Sequence, residues 1–142
     1  MLVRLSFVSA ALLALSLPAL AADAPNLVGK WTGSVDGAVM VGDTPYRVAE
    51  PGKKITFSNE PITFTFDITD QQGARFGGTM SSAKHSETLI GHFYPDNTSG
   101  VMLDDDGQYV FTLTAPDTLQ VCYEHSKPDS KVIACWTARR PQ

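Results

Sequence analysis

Three histidines, a run of three aspartates and two cysteines are the residues of this 142-residue chain whose types could do chemistry. His85, His92 and His125 are too scattered for a local zinc motif such as His-x-x-x-His. Strand pairing could still bring His92 and His125 together as a metal site or general base, but exposed or simply hydrogen-bonded histidines are the preferred reading. Asp104-Asp105-Asp106 before Gly107 suggests calcium, which wants about six to eight oxygen ligands. The run lacks the distal bidentate carboxylate of an EF-hand loop, and Asp70-Gln71-Gln72-Gly73 has the same turn form with one carboxylate, so a plain hairpin and no metal are expected. Ser81, Ser82 and Ser86 lie near His85 without the strained Gly-x-Ser-x-Gly elbow of a nucleophile. Asn97-Thr98-Ser99 matches a glycosylation acceptor but reads as a polar turn after Pro95-Asp96. These patterns yield no catalytic residue and no cofactor, and the expectation is a non-enzymatic protein.

The remaining chemistry depends on compartment. Met1 to Ala21 has a short n-region with Arg4, an apolar stretch from Leu5 to Leu17, Pro18, and small residues before a cut after Ala21. The apolar stretch is shorter than a membrane span of about 20 residues. Residues 1–21 therefore read as a cleaved secretory signal peptide of bacterial type. Residues 22–142 remain as one domain, periplasmic or secreted, with no membrane span. Ala22 rather than Cys follows the cut, which removes a lipid anchor. A formal charge of −4, with no basic run longer than Lys53-Lys54 or Arg139-Arg140, excludes nucleic acid as a partner. In an oxidising compartment Cys122 and Cys135 are expected to form a disulfide.

Strands must position these residues. Ile62 to Thr69 alternates strictly, with Ile62, Phe64, Phe66 and Ile68 on one face, the period of a half-buried strand. A turn at Asp70 to Gly73 that pairs Asp70 with Ala74 sets Ile68 against Phe76, Phe66 against Gly78 and Phe64 against Met80. The turn at Asp104 to Gly107 sets Leu103 against Tyr109 and Val101 against Phe111, with all four pointing inward. A hairpin from Thr118 to Ala138 around Lys127-Pro128-Asp129-Ser130 sets Cys122 opposite Cys135 on the outer face. Its inner face carries Leu119, Val121 and Tyr123 with Ala134, Trp136 and Ala138. Further strands are expected at Leu27 to Val35, around Tyr46 to Val48, near Lys54 to Phe57 and from Glu87 to Tyr94, whereas Val39 to Gly52 reads as a long loop framing a mouth. No window after Ala21 carries a helical apolar stripe. The fold class is all-β, a small antiparallel up-and-down barrel of about eight strands, with a β-sandwich as the alternative.

Gly29-Lys30-Trp31 on the first strand and Arg139-Arg140 after the last resemble the calycin superfamily, the lipocalins, avidins and related small barrels. The resemblance implies that Trp31 plugs one barrel end and that a basic residue covers it. Strand parity selects Arg140, which shares a face with Trp136 and Ala138. Avidins hold biotin with several tryptophans; this chain has two, so biotin is not expected.

An eight-stranded barrel is just wide enough to be filled by side chains or to hold one small ligand. The first expectation is a small, mostly apolar ligand lined by Phe64, Phe66, Phe76, Tyr109, Phe111, Tyr123 and Trp136, with the two tyrosine hydroxyls as polar handles. The alternative is a filled barrel that binds a periplasmic or extracellular protein, as an inhibitor of a protease or lysozyme, through Ala22 to Asn26 or Val39 to Gly52.

Overall fold

A computed structural model describes residues 23–141, so the expected signal peptide lies outside the described residues. The strands are β1 (Gly29–Val35), β2 (Ala38–Val41), β3 (Thr56–Ser58), β4 (Ile62–Gln72), β5 (Arg75–Ser81), β6 (Ser86–Phe93), β7 (Ser99–Leu103), β8 (Gln108–Ala115), β9 (Thr118–Ser126) and β10 (Lys131–Arg139). From β4 to β10 each strand pairs antiparallel with the next, and β1 pairs with β4 on one side and β10 on the other. These eight strands close a barrel, which settles the architecture in favour of the barrel over the sandwich. The other two form a ribbon, with β2 continuing along β10 and β3 pairing with β2.

The ribbon departs from a simple meander. A strand, Ala38–Val41, forms at the start of the expected long loop, and the expected strand around Tyr46 to Val48 is irregular. Alternation in Ala38–Val41 buries Ala38 and Met40 and leaves Val39 exposed, which suits a ribbon with one face on the core.

Closure is tight. Thr32 lies opposite Arg139, and a Cβ on Gly33 would sit 2.2 Å from the Thr137 carbonyl oxygen, so the seam requires glycine there. At that end of the barrel Trp31 is fully buried and donates its indole N–H to the Leu27 carbonyl at 2.8 Å. The Arg140 guanidinium lies 4.4 Å from the Trp31 ring centroid and also donates to the Asn26 carbonyl. Arg139 points away and reaches Thr118 Oγ1 at 2.9 Å. Phe76, Phe93 and Phe111 fill the neighbouring interior edge to face, with centroids 5.3 to 5.9 Å apart.

Cys122 faces Cys135 across β9 and β10 with Cα atoms 4.0 Å apart, and the two form a disulfide on the exposed face. Two other registers differ from expectation. The β4–β5 turn is the two-residue Gly73-Ala74, with Gly73 at φ +58°, and Ile68 faces Gly78 rather than Phe76. A bulge between Ile68 and Asp70 takes up the difference, and Gln71 comes opposite Phe76. The β7–β8 turn spans four residues because the Asp104 carboxylate accepts the N–H groups of Asp106 and Gly107 at 3.2 and 2.7 Å. Leu103 therefore faces Gln108 and Met102 faces Tyr109; this one-residue slip turns Val101 and Leu103 outward and buries Met102.

Trp31→Ala is expected to lower the unfolding free energy by about 3–5 kcal/mol in urea titrations. Replacing both Cys122 and Cys135 by Ala should remove about 3 kcal/mol while leaving the far-ultraviolet spectrum unchanged. A loss below about 1 kcal/mol in either variant would contradict these assignments.

Candidate functional site

Away from the Trp31 end, the β5–β6, β7–β8 and β9–β10 turns converge with the segment 42–55 around a mouth. An interior cavity of about 40 Å³ lies there, walled by Phe64, Met80, Tyr109, Tyr123 and Trp136 and covered by Tyr46 and Arg47. That is room for about three waters. Outside it a groove of about 480 Å³ runs between the start of β4 and the β5–β6 turn, past Glu60, Ile62, Thr63, Ser81 and Lys84. The groove exists because β5 pairs with β4 from Thr65 onward, which leaves the Ile62 to Phe64 edge without a strand partner on that side among the described residues.

Tyr46 is the residue that lines both spaces. Its ring stands edge-on to Phe64 at 5.2 Å and to His85 at 5.1 Å, and its hydroxyl donates to Glu87 Oε1 at 2.6 Å. Arg47 holds the adjoining backbone. Its buried guanidinium donates to the Val35 carbonyl at 3.1 Å, to Ser58 Oγ at 2.8 Å and to the Glu60 carbonyl. Burial lowers the Arg47 pKa.

Carboxylate oxygens of Glu87, Asp104 and Asp106 lie within 4.8 Å of one another. Each carboxylate accepts a tyrosine hydroxyl: Tyr46 on Glu87 at 2.6 Å, Tyr109 on Asp104 at 2.5 Å and Tyr123 on Asp106 at 2.6 Å. Lys127 adds an ion pair to Asp106 at 3.2 Å, and His125 sits 3.0 Å from both the Tyr123 hydroxyl and Ser130 Oγ. Burial, and then the acceptor carboxylates, raise the pKa values of Tyr46, Tyr109 and Tyr123 well above the ordinary tyrosine range. For Asp106, burial pushes upward but is outweighed by the Tyr123 hydroxyl and Lys127, so its pKa is lowered. These three carboxylates are the candidate cation ligands among the described residues, but each already accepts a tyrosine hydroxyl and Asp106 is also paired with Lys127.

Of the side chains expected to line a ligand, Phe64, Tyr109, Tyr123 and Trp136 do line the cavity. Phe66 lies fully buried against Trp136, with centroids 6.0 Å apart, and Phe76 and Phe111 belong to the filled aromatic cluster with Phe93. The hydroxyls of Tyr109 and Tyr123 are engaged by aspartates and are not free handles. Among the described residues three buried side-chain atoms lack a hydrogen-bond partner, Glu87 Oε2, Arg140 Nε and the Trp136 indole N–H, and of these residues Trp136 lines the cavity. His92 on β6 faces Arg75 and Val101, whereas His125 on β9 faces Val132, so the two histidines are not neighbouring strand partners. Sequence reasoning missed Tyr46, Arg47 and Glu87; the available signal was Pro45-Tyr46-Arg47 inside the stretch assigned to the mouth.

Compared with known proteins, the chain matches no family model, no curated protein and no solved structure.

The tyrosine network sets an alkaline limit. Above pH about 10 the unfolded chain ionises these phenols while the fold keeps them protonated, so stability is full below pH 10 and falls as pH rises. Unfolding titrations from pH 8 to 12 should show that decline, and it should be shallower in Tyr109→Phe and Tyr123→Phe. On the acid side, the contribution of Asp106 is present above the ordinary aspartate range near pH 4 and is lost as pH falls through its lowered value.

Proposed function

We propose that this protein binds a small, mostly apolar molecule in the barrel interior, admitted past Tyr46. The observation that carries this reading is that Tyr46 stands between an aromatic cavity of about 40 Å³ and a side groove of about 480 Å³. Ligand pockets commonly measure about 300–1,000 Å³. The closed interior falls well short of that range, and displacement of Tyr46 would join it to the groove. The hydroxyl is held by one hydrogen bond to a carboxylate, a contact worth about 1.5–3 kcal/mol, so an open state lies within thermal reach. The calycin-like ends of the chain support a carrier in a closed barrel. The disulfide, and the lack of any helix among the described residues long and apolar enough to cross a membrane, are compatible with a periplasmic or secreted protein. Binding without catalysis is the role we assign.

A second reading, a protein-binding inhibitor of a protease or lysozyme, is favoured by the outer wall. Cross-strand pairing sets Phe57, Val39, Ile133, Glu124, Gln108, Leu103 and Ile90 in one row. Phe57, Ile133 and Ile90 are 72%, 57% and 58% exposed. Exposed apolar rows of this kind mark interaction surfaces.

Native mass spectrometry of the exported protein from its producing cell, set against its denatured mass, separates the two. A small added mass lost on denaturation is expected, and Tyr46→Ala should shed it faster. A bare chain, together with inhibition of a lysozyme or protease that Ile133→Asp abolishes, would replace the first reading with the second.

A further inference from the structure

We propose that Trp136 is the polar reader of the interior site, and that its ligand is a small neutral molecule with an apolar body and one hydrogen-bond acceptor, such as a ketone or ester. The inference rests on the interior-binding reading above and specifies the class of molecule.

Two indoles lie inside this barrel, and they are treated differently. Trp31 donates to the Leu27 carbonyl at 2.8 Å. Trp136 is 9% exposed and its Nε1 is buried with no acceptor. A buried donor left unpaired costs about 1–3 kcal/mol, and such groups in folded proteins normally mark a water or a ligand. The ring of Trp136 packs among Phe64, Phe66 and Tyr109 with centroids 5.7, 6.0 and 6.1 Å away. Phe64 and Phe66 offer no oxygen or nitrogen, and the Tyr109 hydroxyl is turned to Asp104. Trp136 also lines the cavity, whose other walls include Met80, Ala134 and Val132. An acceptor arriving there with an apolar body would satisfy the indole and meet mostly carbon elsewhere, with Thr44, Arg47 and His125 as the other polar side chains of the lining beside the tyrosines.

Charge sets the second half of the specificity. Glu87, Asp104 and Asp106 crowd the mouth within 4.8 Å of one another, and Lys127 is paired with one of them. A fatty-acid or other carboxylate head would meet that field on entry. Arg47 lines the cavity, but its guanidinium is committed to Val35, Ser58 and Glu60, so it is not set out to receive an anion. A neutral acceptor avoids the repulsion.

The test is a ¹H–¹⁵N titration of the exported chain, which has two tryptophan indole signals that Trp31→Phe assigns. The additives are cyclohexanone, methylcyclohexane and cyclohexanecarboxylate. Cyclohexanone is expected to move the Trp136 indole proton downfield and saturably with the Trp31 signal still, to bind at least tenfold tighter than methylcyclohexane, and to outcompete the carboxylate. Tyr46→Ala should speed its entry. Equal binding of ketone and hydrocarbon with an unmoved Trp136 signal would overturn the reader role and leave interior binding standing. An indole that contacts only water and ignores the ketone would overturn it likewise. Carboxylate binding as tight as the ketone would overturn the charge argument. No binding of any additive, even to Tyr46→Ala, would remove the interior reading and this inference together.

Discussion

Closure of the sheet between β1 and β10 is the constraint on which the other features depend. A sheet that ends in open edges leaves unpaired N–H and C=O groups, and a barrel removes them by joining its first strand to its last. Here the seam brings Thr32 opposite Arg139, and Gly33 has no side chain because the Thr137 carbonyl occupies the space a Cβ would need. Joining the two ends of the domain in this way puts Trp31 and Arg140 on top of one another. The indole fills one end, its N–H is satisfied by Leu27, and the cation covers it. The barrel is closed in both senses by residues separated by almost the whole described chain.

The opposite end is built from different chemistry. At the Trp31 end an indole is held by a backbone carbonyl and covered by a guanidinium, whereas the mouth is organised by hydroxyl-to-carboxylate bonds. Tyr46, Tyr109 and Tyr123 come from a loop and two strands, and Glu87, Asp104 and Asp106 from a strand and a turn. Such partly buried, charge-assisted bonds are short and directional, so they fix the turns relative to the strands. Burial, and then these same bonds, hold the three phenols in their neutral form, because ionising any of them would place a new negative charge out of water and beside an existing one. The aromatic rings form the wall of the cavity and their hydroxyls form its rim. Tyr46 differs in its mounting, since it belongs to the segment 42–55 and not to a barrel strand. A side chain on a loop can leave its position without breaking the sheet, which is the physical basis for treating it as a gate.

Much of this was legible in the residues. Strict alternation from Ile62 to Thr69 exposes the strand period directly, and a disulfide between Cys122 and Cys135 followed from the register of one local hairpin. The failures are local as well. At Asp104 to Gly107, a carboxylate that accepts two backbone N–H groups lengthened the turn by one residue, and a one-residue slip exchanges the faces of a strand. Alternation alone could not detect this, because β7 offers apolar residues at Val101, Met102 and Leu103, on both faces. At Ile68 to Asp70 a bulge absorbed an equivalent error, so the inward side chains were right although their partners were not.

The sequence by itself determined the strand-rich class, the inward faces of β4, β9 and β10 and the disulfide pair, because these depend on period-two patterning and on neighbours within a hairpin. Tertiary structure alone decided which aromatic residues face empty space and which face one another. Phe64, Phe76 and Phe111 look alike in the chain, yet the first borders the cavity and the other two lock together with Phe93. The association of Tyr46 with Glu87, the crowding of Glu87, Asp104 and Asp106, and the unpaired indole of Trp136 likewise arise from strands and loops distant in sequence. The physical reason is that hydrogen-bond satisfaction and packing volume are set by what closure brings together, and no local pattern carries that information.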